Sequence, residues 1–216
     1  ENDQDIAVIA MNSIAKNMGL LAPESEYKIL RINGLDMGLF IFSEAFKKEW
    51  FEREHNITNY SIIKSIDDWN SREPGHPSSL DLTIEYQEIK TVGKYNDIAL
   101  AQMELLFEAI KSENIEKIKK LIDIEDTAKY LALFALNNNA HPLAGDNLKY
   151  IYNLSTGKFR FIFRSESHPK LMQGPLSSFN LDLFKSYHAG NNPPLTFKLF
   201  KVLLKDEGFR NKRDKH

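Results

Sequence analysis

The chain has 216 residues, 42% hydrophobic and 27% charged, with a formal net charge of -2. This is enough apolar material for one sizeable core or two small lobes, and the charge gives no overall field to draw the protein onto nucleic acid or an anionic membrane. The absence of cysteine excludes disulfides, thiolate catalysis and Cys-based zinc sites, and no apolar run approaches the roughly 20 residues that span a bilayer.

Residues 3 to 18, DQDIAVIAMNSIAKNM, set Met11, Ile14, Ala15 and Met18 on one helical face, with acids in the first turn and Gly19 just past the end. The spacing predicts a helix. YKILRINGLDMGLFIFSE follows as two β-rich runs around NGLDMG, whose Asn-Gly and second Gly supply the positive φ values of a hairpin turn or bulge. AFKKEWFEREH then predicts a short helix, with Phe46 and Trp50 four apart so that both bury on one side.

Residues 57 to 95 carry Pro74, Gly75 and Pro77 in a polar context, which predicts a long surface or lobe-joining loop with at most a short strand. From Asn96 the character turns helical. NDIALAQMELLFEAIKSE, NIEKIKKLI and DIEDTAKYLALFALNN are three amphipathic segments, the last opened by Asp123 and Asp126 in the spacing of a capping box. A polar loop and tight hairpin occupy 141 to 167, then a Pro- and Gly-containing stretch from 168 to 194, then the helix TFKLFKVLLKDE. The start without Met on a helical pattern, and the charged end EGFRNKRDKH with no C-cap, point to a piece of a longer protein.

This order predicts an α+β fold of two lobes. Residues 1 to 95 form a partial N-lobe of helix, hairpin and joining segment, and residues 96 to 216 a mainly helical C-lobe, with a cleft between them of the kind that binds ligands.

In protein kinases a loop of the form H-R-D-x-x-x-x-N precedes two short strands and then the Asp of D-F-G. The loop offers a base to the attacking hydroxyl and an amide oxygen to one Mg²⁺, and the turn beyond the hairpin supplies a carboxylate to the metals. Here the order is His141, Asn147, strand, STG turn, strand, then Ser165, Glu166 and Ser167. Five residues before Asn147 stands Pro142, whose side chain carries no proton, which leaves the neighbouring His141 or Asp146 to orient a hydroxyl.

Three stretches, in series, resemble the spore coat protein H (CotH) kinase-like family: ILRINGLDMGLFIFSEAFKKEWFEREHN, AHPLAGDNLKYIYNLSTGKFRFI and PPLTFKLFKVLLKDEGFR. The resemblance implies a protein-kinase-like fold, ATP with Mg²⁺ or Mn²⁺ as cofactors, and a location outside the cell, on its surface or in a spore coat. It implies that Asn147 is a metal ligand, that His141 lies in the catalytic loop, and that Glu44 ends the N-lobe hairpin near the nucleotide. The family's metal-binding Asp aligns with Ser165, so Glu166 is the nearby substitute, and the family's ATP-contacting Lys falls upstream of residue 1.

Each residue also has a plainer reading. His141, Asp146 and Asn147 suit a turn whose side chains satisfy backbone groups, Glu166 a solvated loop, and Glu44 a helix N-terminal acid. Two functional expectations follow. One is an ATP-dependent transfer of the γ-phosphoryl to a Ser or Thr of a protein partner. The other is a non-catalytic member of the family serving as a binding or assembly module at a surface or coat; a kinase acting on a sugar or small acid stays open beside them.

Overall fold

The computed structural model describes residues 3–65, 89–137, 149–165 and 195–216, and within them the fold is α+β with two small sheets. The first helix, α1 (Asp3–Asn17), ends as expected where Gly19 takes φ 80°. Its Met11 and Ala15 are buried and Met18 packs against the core, while Ile14 is 39% exposed. The buried stripe is therefore narrower than the sequence pattern predicts and includes a polar residue, Asn12.

Strands β1 (Ser25–Ile32) and β2 (Leu35–Ser43) pair antiparallel around Asn33 and Gly34, at φ 52° and 81°. Two successive positive φ values match the right-handed twist of a two-residue hairpin. The second glycine marks a bulge: Leu30 pairs with Gly38 and Arg31 with Asp36, so Met37 is the extra residue. Gly38 sits at φ 93° and its N–H donates to Asp36 Oδ1 at 2.8 Å. Beyond its root the hairpin is apolar and exposed, with Ile29, Leu35 and Leu39 all more than half accessible.

Helix α2 (Lys48–His55) closes at Asn56 in the left-handed conformation. Trp50 and Phe51 are buried, and Phe46, partly buried just ahead of the helix, meets the Trp50 ring edge-on at 5.0 Å between centroids. The Phe46 and Trp50 pairing follows the four-residue spacing.

The second sheet places two strands within 57 to 95, where at most one short strand is expected; the stretch with Pro74, Gly75 and Pro77 lies outside the described residues. Strands β3 (Tyr60–Ser65) and β4 (Ile89–Gly93) flank that stretch and join β5 (Lys149–Asn153) and β6 (Lys158–Phe161) in the antiparallel order β4-β3-β5-β6. β3 lies inside the sheet, between β4 and β5. A strand covered on both faces shows a short continuous apolar run, here Ile62 and Ile63, rather than alternation, so periodicity alone misses it.

Alternation then sorts side chains to two cores. Ile63, Tyr150, Tyr152, Phe159 and Phe161 enter the large core with the helices, while Ile62 and Ile151 pack with Leu21, Trp50 and Phe51. The large core is built from α3 (Asn96–Lys111), α4 (Ile115–Leu121), α5 (Ile124–Asn137), α6 (Leu195–Leu203) and α7 (Glu207–Arg213). Its centre is aromatic: Tyr130 stacks on Phe161 at 4.6 Å and Phe161 lies 5.7 Å from Phe200. Such ring pairs add about 0.5–1.5 kcal/mol each beyond the area they bury.

The segment read as one helix, TFKLFKVLLKDE, breaks after Leu203. Asp206 caps a separate α7 by accepting the Phe209 N–H at 2.8 Å. The sheet takes β3 and β4 from before residue 96 and β5 and β6 from after it, so the strands of both halves share hydrogen bonds. Among the described residues, no helix is long and apolar enough to cross a membrane.

Candidate functional site

The β5–β6 hairpin turns through Ser155 to Gly157, with Gly157 at φ 68°, and delivers the chain to Ser165. Two backbone contacts steer that exit. Ile162 bridges in parallel to Leu21, and the Phe163 N–H donates to Leu21 O at 2.8 Å, so the exit runs beside the segment that follows α1. Ser165 is buried, 7% exposed, and its N–H donates to Asn12 Oδ1 at 3.2 Å. Asn12 in turn donates through Nδ2 to Ser25 Oγ at 2.9 Å, and Ser25 Oγ lies 2.7 Å from Ser43 Oγ. Helix α1, the root of the first hairpin and the exit of the second thus meet at one buried amide.

Glu44 follows directly after β2, its N–H donating to Glu24 O at 2.9 Å and closing the root of the first hairpin. Its carboxylate is engaged by the Arg53 guanidinium at 2.5 Å, and hydrogen bonds to Glu54 and next to Glu44 hold the Arg53 pKa above its ordinary value. Both side chains are partly exposed, so the pair contributes little stability. His141, Asp146, Asn147 and Glu166 lie outside the described residues. Among the described residues, no three His, Asp or Glu side chains gather into a group that would hold a metal. The Ser165 hydroxyl is neutral and lacks the anionic charge that a carboxylate offers a divalent cation.

Beside this junction lies a second polar feature, also unanticipated. Arg160 on β6 points to the α2 side of the sheet and sends Nη2 to Asp126 Oδ1 at 2.6 Å and to Gly19 O at 3.0 Å. Asp123 caps α5 as its spacing predicts, accepting the Asp126 N–H at 3.0 Å. The reciprocal half of a capping box is missing, because the Asp123 N–H donates to Phe159 O and the Asp126 carboxylate turns to Arg160. Burial raises the Asp126 pKa above its ordinary value, with the Arg160 charge working against the rise. Asp126 Oδ2 and Arg160 Nε are buried without a partner.

His55, the last residue of α2, packs its ring 4.8 Å from that of Trp50. Burial, and next the positive charge of Arg160, push its pKa down to about 4, which makes it neutral at pH 7. Asn12 had a readable signal, since it lies three residues before the buried Ala15 and so on the same helical face. Asp126 and Arg160 had none, because their pairing joins residues 34 apart through the fold.

A search among curated proteins returns no match. The family model described as CotH kinase protein matches residues 10–215, nearly the whole chain and all the elements from the middle of α1 to α7. The chain therefore belongs to the CotH kinase family.

Proposed function

We propose that this protein is a CotH-type phosphotransferase that moves the γ-phosphoryl of ATP to a Ser or Thr hydroxyl of a protein partner, releasing ADP. The observation that carries the reading is the family match over residues 10–215. In this reading the chain is one kinase-like domain, residues 1–95 a partial N-lobe and 96–216 a helical C-lobe. His141 or Asp146 orients the acceptor hydroxyl and takes its proton. Glu44 lies toward the nucleotide, and Asn147 and Glu166 are the residues proposed to hold Mg²⁺ or Mn²⁺. The family's association with spore coats favours a coat or surface protein as partner and a location outside the cell.

A specific observation favours a second reading. Ser165, which aligns with the family's metal-binding Asp, is a neutral side chain in a buried position. At an effective dielectric of about 20, one unit-charge pair at 4 Å is worth about 4 kcal/mol, roughly a thousandfold in affinity or rate. On that reading the protein is a non-catalytic scaffold that binds a surface or coat partner.

Calorimetric titration of the protein with ATP and Mn²⁺ or Mg²⁺, followed by phosphate transfer to candidate partners, separates the two. Metal-dependent binding that Asn147→Ala abolishes, and that Ser165→Asp strengthens by up to about a thousandfold, supports the phosphotransferase. No nucleotide binding by the wild type or by Ser165→Asp retires it in favour of the scaffold.

A further inference from the structure

We infer that Asn12 is a positioning residue that couples the root of the β1–β2 hairpin to the peptide of Ser165. The hydrogen-bond directions carry the argument. A backbone N–H only donates, so the amide group of Ser165 requires the Asn12 carbonyl oxygen to face it, at 3.2 Å. The other end of the Asn12 amide is then a donor, and Ser25 Oγ is the acceptor it meets at 2.9 Å. Ser25 Oγ also lies 2.7 Å from Ser43 Oγ across the strand pair, a bond in which either hydroxyl can donate. The Asn12 amide is thus oriented from the Ser165 end.

The burial of Asn12 and Ser165 makes their contact consequential. Asn12 is 2% exposed, so an amide that lost either partner would lie in a region with little water to replace it. The backbone contact from Phe163 to Leu21 fixes the exit strand only up to two residues before Ser165. Asn12 also holds that segment, and its Nδ2 meets Ser25, one of two serines paired at the open end of the first hairpin. A displacement of the hairpin root therefore has a route to the Ser165 peptide through the Asn12 side chain. The significance of Ser165 for nucleotide binding rests on the function proposed above; the coupling itself does not.

The test is amide hydrogen exchange by NMR on the whole ¹⁵N-labelled chain. Ser25→Ala removes the acceptor of the Asn12 Nδ2 without touching the Asn12–Ser165 contact. It should speed exchange at Ser165 by about tenfold while the Phe163 amide, bound to Leu21 O, keeps its wild-type rate. Asn12→Leu should speed Ser165 exchange by about a hundredfold. Asn12→Asp keeps an oxygen for Ser165 and accepts from a reversed Ser25 hydroxyl, so it should retain most of the protection. If Ser25→Ala leaves the Ser165 rate unchanged, Asn12 is a local anchor and the coupling is wrong, whatever the larger Asn12→Leu substitution does to folding. Titration of Ser25→Ala with ATP and Mn²⁺ reads the proposed function separately. Absence of nucleotide binding by both the wild type and Ser165→Asp retires that function and leaves the exchange rates to decide the coupling.

Discussion

Arg160→Met removes one half of an ion pair whose members are largely shielded from water, with side-chain exposures of 18% for Arg160 and 6% for Asp126. The guanidinium also donates to Gly19 O, so its loss frees the end of α1 as well. Stranding a buried charge in this way costs about 3–5 kcal/mol, a large fraction of the 5–15 kcal/mol that holds a typical domain together. At a urea dependence of about 2 kcal/mol/M the unfolding midpoint should fall by about 2 M. The double variant Asp126→Leu with Arg160→Met removes both charges, along with the unpartnered Asp126 Oδ2 and Arg160 Nε, and should lie near the wild type or above it.

The pH dependence supplies a sign. Burial already raises the Asp126 pKa above 3.8, and Arg160 is the leading influence pulling it down. Without Arg160 the folded state holds this proton to higher pH than the unfolded chain does. The deficit of Arg160→Met should therefore be full at pH 7 and shrink as the pH falls through the raised Asp126 pKa. Urea unfolding followed by circular dichroism at pH 7 and pH 5 measures this. A loss below about 1 kcal/mol, a loss independent of pH, or a double variant as unstable as the single one would refute the reasoning.

The His55 pKa lies at about 4 in the fold against 6.5 unfolded, so its contribution is fully present above 6.5 and is lost as the pH falls toward 4. Discounted for partial burial, that loss is about 1–3 kcal/mol, and unfolding curves of His55→Gln should show a shallower decline over the same window than the wild type. Arg160→Met should also raise the His55 pKa, read from the imidazole proton shifts, because a repelling charge has gone. At Gly93, on β4, an added Cβ would lie 2.7 Å from Tyr60 O and 2.8 Å from Ser61 Cα, with φ at 154°. Gly93→Ala should cost about 1–3 kcal/mol by thermal or urea unfolding, and a neutral result would mean that the β3–β4 pairing is looser than described.

Local chemistry was legible without the fold. The NG turn and second glycine called for a hairpin turn or bulge, Gly19 ended α1, Asp123 capped α5, and the three CotH-like stretches pointed to the family. These features depend on φ preference, on hydrogen bonds within about four residues, or on patterns contiguous in the chain. Tertiary structure decided the rest. Ile62 and Ile63 became an inner strand because sheet and helices covered both faces, which no alternation announces. Asp126 abandoned its capping partner because folding brought Arg160 within 2.6 Å, and an ion pair out of water outweighs a local N–H contact. Asn12 looked like one more polar residue on a helix; only the packing of two hairpins against α1 turned its amide into the junction that holds Ser165.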